Sequence, residues 1–201
     1  MNFSFDEEII LENAFALLRP IDKADMDNLL PVATKDKDLL QFSPAQIYTK
    51  ERLKTYIDKA VENKISKNAY AFIVFDKTAN QFAGSTSFLN ISNPDDRLEI
   101  GSTWYGKAFQ RTGLNRNCKY LLLQYAFDNL GAERVEFKTD ERNVASRNAI
   151  EKIGGQFEGI LRRHTLMTDG FRRNTICYSI LRSEWVQLKA HFLEHNLTRR
   201  Q

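Results

Sequence analysis

The hydrophobic pattern of the chain changes its period several times in the second half of the sequence. Residues 97–105 (RLEIGSTWY) and 134–140 (RVEFKTD) are rich in β-branched and aromatic residues and predict β-strands. Apolar residues recur at helical spacing over residues 114–130 and again over 143–154. Consecutive strand, helix, strand and helix segments predict a right-handed crossover, which sets the two strands parallel in one sheet.

The rest of the chain adds antiparallel strands and further helices to this unit. Short turns separate residues 69–76, 81–90 and 97–105, so these segments predict an antiparallel meander. The turn Thr168-Asp169-Gly170 lies between two later strand-like segments and predicts a β-hairpin. The remaining predicted elements are a strand from Phe15 to Arg19, helices capped by Asp22 and Thr49, and a last helix from Ser183 to about His195.

The composition limits the classes of protein that fit the chain. Its 201 residues, 42% hydrophobic and 27% charged, are typical of one globular domain. No repeat, low-complexity tract or linker divides the domain, and we expect about 13 residues at its start and about 5 at its end to be peripheral. The net charge of +3 is too small to indicate a nucleic-acid binder, although it is compatible with an anionic small molecule.

Cysteine usage and the lack of long apolar runs indicate the compartment. Cys118 and Cys177 lie far apart and match no metal-ligand spacing, so we expect no metal and a reduced, cytoplasmic setting. The acidic start MNFSFDEEIILENAF does not resemble a signal peptide. No segment approaches the roughly 20 apolar residues that span a bilayer, so no membrane partner is expected.

The segment QRTGLN, residues 110–115, lies between the strand 97–105 and the helix 114–130. The first amides of a helix have no partner within it, and the helix dipole favours negative charge. Because glycine lets the backbone approach a ligand closely, this turn suits a pyrophosphate, and Arg111 and Arg116 could add contacts to it. The segment lacks the patterns of a P-loop and of a dinucleotide fingerprint. An ordinary surface loop that begins a helix stays an alternative at this point.

Two motifs carry a resemblance to a known family. The spacing Gln110-x-x-Gly113-x-Asn115 resembles the Q/R-x-x-G-x-G/A motif of the GNAT superfamily of acetyl-CoA-dependent N-acetyltransferases. Residues 138–154 (KTDERNVASRNAIEKIG) are similar to its RimJ/RimL-like branch, the ribosomal-protein N-terminal acetyltransferases, in their N-x-x-S-x-x-A run. The element order also matches. Asn115 departs from the family pattern, which prefers Gly or Ala there, but it should leave its amide free.

The resemblance implies a fold. It is the mixed α/β fold of the GNAT acyl-CoA N-acyltransferases, with a twisted mixed sheet of about seven strands flanked by helices. The central parallel pair would be splayed, so that residues 100–104 part from residues 135–139. One such domain would span residues 1–201.

The resemblance also implies a site for acetyl-CoA as co-substrate and no metal. The pantetheine arm would lie in the opening between the two splayed strands. The amides from Arg111 to Asn115 would hold the pyrophosphate. Asn143 would contact the cofactor, cap the helix that follows, or do both. The implied cofactor-binding residues are Ile100, Gly101, Ser102, Arg111, Thr112, Gly113, Leu114, Asn115, Arg116, Asn143 and Ser146.

Acetyl transfer to an amine needs a base and a partner for the departing thiolate. Glu99 is the candidate base, although a solvent-facing strand glutamate is an equal alternative. Ser146 is the candidate thiolate partner, implied by the resemblance, with an ordinary helix-face serine as the alternative. Strand alternation predicts Leu98, Ile100, Ser102 and Trp104 on one face of the strand, and Glu99, Gly101, Thr103 and Tyr105 on the other.

The acceptor is the least defined part of the prediction. The resemblance implies a primary amine, which could be a ribosomal or other protein N-terminus, an amino acid or a small amine. His164 and Tyr178 are candidate substrate residues, although both have structural alternatives. The hairpin also carries a group of arginines: Arg162, Arg163, Arg172 and Arg173.

Two other classes of function stay open. One is a CoA-binding regulatory module without catalysis, and the other is a small RNA-associated protein suggested by the basic hairpin. The low net charge counts against the RNA-associated protein, and no nucleic-acid partner is expected. A homodimer is compatible with the sequence.

Overall fold

The computed structural model describes residues 1–194. These residues form the strands β1 Leu11–Glu12, β2 Ala16–Pro20, β3 Ala69–Asp76, β4 Gln81–Ser92, β5 Arg97–Tyr105, β6 Arg134–Asp140, β7 Gln156–Leu166 and β8 Arg172–Leu181. They also form the α-helices α1 Met26–Ala33, α2 Lys50–Ile65, α3 Leu114–Gln124, α4 Val144–Lys152 and α5 Arg182–Glu194. The strands β3, β5 and β6 have the bounds that the sequence predicts.

All of these strands join one mixed sheet in the order β1-β2-β3-β4-β5-β6-β8-β7. The β5–β6 pair is parallel, and the other neighbouring pairs are antiparallel. The predicted mixed α/β fold with a central parallel pair is therefore confirmed. The described sheet has eight strands instead of about seven, because Leu11–Glu12 adds an edge strand that is too short to show a periodic signal.

The parallel pair is closed at one end and open at the other. Pairing runs from Arg97 opposite Arg134 to Glu99 opposite Glu136, and it stops there. The strand β5 continues to Tyr105 without β6 beside it. This separation, here called the opening, agrees with the splayed pair that the resemblance implies.

A β-bulge in β5 lies beside the opening. The partners of β5 in β4 shift between Gly101 and Trp104, and Ser102 has a left-handed φ of 48°. A bulge reverses the alternation of faces beyond it. Trp104 therefore packs with α1 and α2, and the predicted common face with Ile100 is wrong. Gly84 permits the close approach of β4 here, because a Cβ at this residue would lie 2.0 Å from the carbonyl oxygen of Trp104.

The sheet has a different set of helices on each face. One apolar core lies against α3, α4 and α5 and includes Leu98, Ile100, Cys118, Leu122, Phe137, Ile150, Tyr178 and Trp185. The other lies against α1 and α2 and includes Ile21, Leu29, Ile57, Ile73 and Trp104. The residues before β1 contribute the buried side chains of Phe3 and Ile9 to the first core, and the ring of Phe3 packs on Tyr70 of β3 and Phe88 of β4.

The helix ends follow the predicted capping with two exceptions. The side chains of Asp22 and Thr49 accept hydrogen bonds from the amides that follow them, as predicted. The helix predicted to reach Leu130 instead leaves α-helical geometry at Gln124 and continues as a π-helical turn, Tyr125–Asn129. The last helix starts at Arg182, before the predicted cap Ser183, and the predicted end at His195 lies outside the described residues.

Candidate active site

The segment between β5 and α3 is held by hydrogen bonds from its own side chains. The Nε2 of Gln110 donates to the carbonyl oxygen of Tyr105 at 3.0 Å. The hydroxyl of Thr112 donates to the carbonyl oxygen of Phe109 at 2.9 Å. These two bonds fix the path of the backbone from the end of β5 to the start of α3.

Left-handed residues at this turn leave a group of backbone donors free. Arg111 has a φ of 62° and Gly113 a φ of 90°. Such residues let successive N–H groups face one side, a geometry that binds anions. Within the described part of the chain, no hydrogen bond uses the N–H groups of Arg111, Thr112, Gly113, Asn115 and Arg116, here called the free amides. Because α3 begins at Leu114, its dipole adds positive potential at the same place.

A buried asparagine anchors the first turn of α3. Asn117 is 1% exposed, and its Nδ2 donates to the carbonyl oxygen of Gly113 at 3.1 Å. Its Oδ1 accepts a 2.9 Å hydrogen bond from the Nδ2 of Asn13. Sequence reasoning missed this contact, because Asn13 lies in a segment without a periodic pattern.

The polar side chains at the start of α3 differ in their surroundings. Arg116 lies over the ring of Phe192 in α5, with its guanidinium carbon 5.4 Å from the ring centroid, while Arg111 is exposed. The Oδ1 of Asn115 is buried and accepts no hydrogen bond among the described residues. A ligand N–H or hydroxyl at this point would therefore find an acceptor, which the Gly or Ala of the family pattern does not offer.

The strand β5 contributes unpaired backbone groups and one buried side chain to its side of the opening. Ile100 is 2% exposed and packs into the core on the α3 side. Gly101 and Ser102 face the opening without a β6 partner, and Ser102 is exposed. A ligand arm in the opening could therefore bond to the unpaired edge of β5, as a neighbouring strand would.

Glu99 lies at the last paired position of β5, beside the opening, and is 6% exposed. Its Oε2 accepts 2.7 Å hydrogen bonds from the Nζ of Lys138 and the Nδ2 of Asn90. Its Oε1 accepts none among the described residues. Burial alone would lower the pKa of Lys138, but the bonds to Glu99 and Glu136 raise it overall. The predicted solvent-facing alternative for Glu99 is wrong, because a lysine and an asparagine hold this carboxylate inside the protein.

The sequence matches a family model described as "Acetyltransferase (GNAT) domain" over residues 16–156. The chain belongs to the GNAT acetyltransferase family. It is 25% identical to "Probable N-acetyltransferase YjcK" of Bacillus subtilis over 159 residues, which cover 77% of this chain and 88% of that protein. It is 27% identical to "Putative ribosomal N-acetyltransferase YdaF" of the same species over 165 residues, which cover 74% of this chain and 88% of that protein.

Solved structures of GNAT proteins share the fold. A GCN5-related N-acetyltransferase from Brucella melitensis is 30% identical and superposes with a TM-score of 0.86. The match covers 95% of this chain and 86% of that protein. The eight-stranded mixed sheet with its flanking helices therefore has the fold of solved GNAT acetyltransferases.

GNAT acetyltransferases use acetyl-CoA, and the residues at this site fit that molecule. Its diphosphate needs hydrogen-bond donors and positive potential, which the free amides and the α3 dipole supply. Its amide-containing arm needs unpaired strand backbone, which Gly101 and Ser102 supply in the opening. The buried Oδ1 of Asn115 adds an acceptor beside the free amides.

The start of α4 holds two more of the predicted cofactor residues. The Oδ1 of Asn143 accepts a 3.0 Å hydrogen bond from the amide of Ser146, so Asn143 caps the helix as one of its predicted alternatives states. Its Nδ2 makes no hydrogen bond among the described residues. The hydroxyl of Ser146 also has no protein partner in that part of the chain. Both groups therefore remain available to a ligand.

The two predicted substrate residues lie in different environments. Tyr178 is 1% exposed, and its hydroxyl donates to the Oε1 of Glu151 in α4 at 2.8 Å. Burial raises the pKa of Tyr178. His164 lies exposed on β7, and its Nδ1 is 3.2 Å from the hydroxyls of Thr175 and Thr165. The structure therefore packs Tyr178 into the core and leaves His164 accessible.

A cleft lies between the turn that joins β7 to β8 and residues 34–48, which connect α1 to α2 and are here called the α1–α2 segment. Its volume is about 450 Å³, and its lining includes Lys37, Asp38, Gln41, Gln46, Tyr48, Arg52, Met167, Thr168 and Asp169. Charges of both signs and several amides line it, so it suits a polar ligand. Sequence reasoning missed the cleft, because residues 34–48 show no periodic pattern.

Arginines connect the two sides of this cleft. Arg142 is ion-paired with Asp140, and its guanidinium carbon lies 4.1 Å from the ring centroid of Phe171 and 5.7 Å from that of Phe42. The Nη1 of Arg173 donates to the carbonyl oxygen of Phe42 at 2.7 Å. Arg173 therefore supports the α1–α2 segment, whereas Arg162, Arg163 and Arg172 are exposed.

Neither a metal cluster nor a membrane helix is present in the described part of the chain. Residues 1–194 contain no group of three His, Cys, Asp or Glu side chains placed to hold a metal ion. Among the same residues, no helix is both long and apolar enough to cross a bilayer.

Proposed function

We propose that this protein transfers the acetyl group of acetyl-CoA to a primary amine by direct attack in a ternary complex. The single observation that carries the proposal is the set of free amides at the start of α3, next to the opening between β5 and β6. The free amides would bind the diphosphate and the opening would receive the arm. Arg111, Thr112, Gly113, Leu114, Asn115 and Arg116 would then surround the charged end of the cofactor.

Glu99 is our proposed base. Ammonium has no lone pair, so the acceptor must lose a proton before it attacks, and a lysine-like amine titrates near 10. The free Oε1 of Glu99 can accept that proton directly or through a water, while Oε2 stays bound to Lys138 and Asn90. The two hydrogen bonds to Oε2 fix the orientation of the carboxylate, and a fixed orientation favours such a transfer.

Ser146 is our proposed partner of the departing thiolate. Its hydroxyl has no bond to the described protein, and its amide is fixed by the Asn143 cap. A serine hydroxyl is a weak acid, so it would donate a hydrogen bond to the sulfur rather than transfer its proton. We leave Tyr178 out of the reaction and the acceptor site, because its hydroxyl is bound to Glu151 in the core.

The acceptor would enter from the α1–α2 side, where the cleft lies. The charges of both signs in the cleft suit a peptide or an amino acid better than an apolar amine. The name of the relative YdaF points to ribosomal proteins, which supports a protein N-terminus as acceptor and a RimJ/RimL-like assignment. His164 stays a prediction for this side of the molecule, as does the homodimer.

The test combines binding with turnover. Calorimetry would measure the binding of CoA and of inorganic pyrophosphate. A thiol reagent would follow CoA release from acetyl-CoA with N-terminal peptides, amino acids and polyamines. We expect micromolar CoA binding, competition by pyrophosphate and turnover with at least one amine. Binding without turnover on any acceptor would favour a regulatory module, and no binding at all would refute the proposal.

A further inference from the structure

Lys119 of α3 reaches the floor of the opening. Its Nζ donates to the hydroxyl of Thr103 on β5 at 2.8 Å and lies 5.8 Å from the ring centroid of Phe137 on β6. Both residues lie beyond Glu99 and Glu136, the last pair of the two strands. The ammonium therefore lies where β5 and β6 have already separated.

This lysine is buried without a counter-charge. Its residue is 6% exposed, and no carboxylate of the described residues lies within ion-pair distance of it. Lysines are almost never fully buried unless they are paired. An ammonium has three N–H donors, and Thr103 accepts from one of them. The other two have no partner in the described protein.

The groups around Lys119 do not neutralise it. On its own helix, burial raises the pKa of the Cys118 thiol to about 12, so the thiol carries no charge near neutral pH. On β5, burial raises the pKa of the Tyr105 hydroxyl, which lies beside Cys118. The charged side chains of β5 and β6 nearest the opening bond to one another: Glu99, Glu136 and Lys138. Thr103 bonds further to the hydroxyl of Thr86 at 2.7 Å, which is also neutral.

We propose that Lys119 is a catalytic residue, whose ammonium donates to the sulfur end of acetyl-CoA in the opening and gives a proton to the thiolate of CoA. This inference rests on the proposed function. The amine nitrogen forms the new bond to the acetyl carbon, the carbon–sulfur bond breaks, and its electron pair passes to sulfur. Lys119 protonates that sulfur and regains a proton from solvent, while the amine loses its own proton to Glu99.

The acidity of this group suits the transfer. Burial lowers the pKa of Lys119 from 10.5 to about 8. An ordinary thiol has a pKa near 8.5, so the transfer to a thiolate is close to balanced. Efficient general acids have a pKa near the working pH. Lys119 would supply the proton that the Ser146 hydroxyl cannot, and the two groups would contact the sulfur from α3 and α4.

The first test compares Lys119→Met with Lys152→Met. The control removes an exposed helical lysine that takes no part in the proposed site. We expect kcat to fall about 100-fold in Lys119→Met and less than twofold in the control, with the KM for acetyl-CoA changed less than kcat. A kcat of Lys119→Met within twofold of the wild type would overturn the proposal. Thr103→Val, which keeps the lysine but removes its partner, should lower kcat less than Lys119→Met does.

The second test does not depend on turnover. Calorimetry at pH 8 would compare CoA with its desulfo analogue, which lacks the sulfur but keeps the diphosphate. We expect the wild type to prefer CoA about tenfold, because an ammonium stabilises a thiolate, and Lys119→Met to bind both equally. If the wild type and Lys119→Met prefer CoA over the desulfo analogue to the same extent, the role of Lys119 is refuted but the proposed function is not. If the wild type binds neither molecule, both the proposed function and the role of Lys119 are refuted.

Discussion

The Nζ of Lys138 lies 2.7 Å from the Oε2 of Glu99, at the point where β5 and β6 separate. The same ammonium lies 3.1 Å from the Oε2 of Glu136, so it bridges two carboxylates that face each other across the parallel pair. Glu99 and Glu136 form the last pair beside the opening, but both oxygens of Glu136 accept hydrogen bonds, Oε1 from Arg134 and Oε2 from Lys138, whereas the Oε1 of Glu99 accepts none among the described residues. The two carboxylates thus share a cation but differ in whether an oxygen is left to accept a proton, which makes them a matched pair for mutagenesis.

Glu99→Gln is expected to lower kcat about 100-fold near neutral pH, because an amide cannot take the proton of the acceptor amine. Glutamine keeps the size of the side chain and can still accept a hydrogen bond from Lys138. Glu136→Gln removes a carboxylate of the same bridge and should change kcat less than threefold. Steady-state rates from pH 6 to pH 9 would measure both. Equal losses in the two variants would show that the bridge matters only for structure.

Gly113→Ala is expected to raise the KM for acetyl-CoA about tenfold, with a smaller effect on kcat. Alanine is strained at the φ of 90° found there, by about 1–2 kcal/mol, so the substitution should shift the free amides on either side of it. Gly170→Ala is the control, because Gly170 has a similar φ of 83° in the β7–β8 turn and open space around its Cβ. The two variants should lose similar stability in urea, while only Gly113→Ala loses affinity for CoA and pyrophosphate. Unchanged affinity would place the diphosphate elsewhere.

Arg142→Ala is expected to loosen residues 34–48. Burial alone would raise the pKa of Asp140, but the hydrogen bonds from Arg142 lower it overall, so this ion pair is formed at neutral pH. The paired guanidinium packs on the ring of Phe42, and its loss removes one of the contacts between the α1–α2 segment and the hairpin. Hydrogen exchange should become faster in residues 34–48.

The exposed Arg172 on the same hairpin provides the control for this experiment. Arg172→Ala should leave the exchange of residues 34–48 unchanged. If the amide hydrogens of residues 34–48 exchange at the same rate in both variants, the packing of Arg142 on Phe42 does not hold this segment in place. If the acceptor enters through the cleft, Arg142→Ala should also raise the KM for the amine more than the KM for acetyl-CoA.

The sequence predicted the fold well where a hydrophobic period extended over a whole element. The bounds of β3, β5 and β6 match because their β-branched and aromatic residues continue to each end. Prediction failed where a tertiary contact decides the structure. The bulge at Ser102 depends on the close approach of Gly84 to β5, and no pattern within β5 indicates it.

Of the candidate site, only the backbone groups could be predicted from the sequence. A glycine between a strand and a helix indicates free amides, and the structure has them at Arg111, Thr112, Gly113, Asn115 and Arg116. The side-chain part required contacts between distant segments, such as Asn13 with Asn117 and Lys119 with Thr103. Lys119 in particular lies within a helix of mixed polarity, where a lysine is ordinarily exposed. The burial of Lys119 is evident only in the folded structure, where α3 packs against the sheet beside the opening.

The burial of Lys119 also leads to a prediction of how the stability of the protein depends on pH. Its pKa is about 8 in the folded protein and 10.5 ordinarily, so the unfolded chain binds more protons between these values and the stability due to this group rises with pH. The cost of burying the ammonium, about 3 kcal/mol, is present below pH 8 and disappears toward pH 10.5. Lys119→Met should therefore be more stable than the wild type at pH 7, and the difference should shrink by pH 10. Urea denaturation of both proteins at each pH isolates this group, since Cys118 and Tyr105 are common to both. A difference that does not change with pH would mean that Lys119 titrates normally.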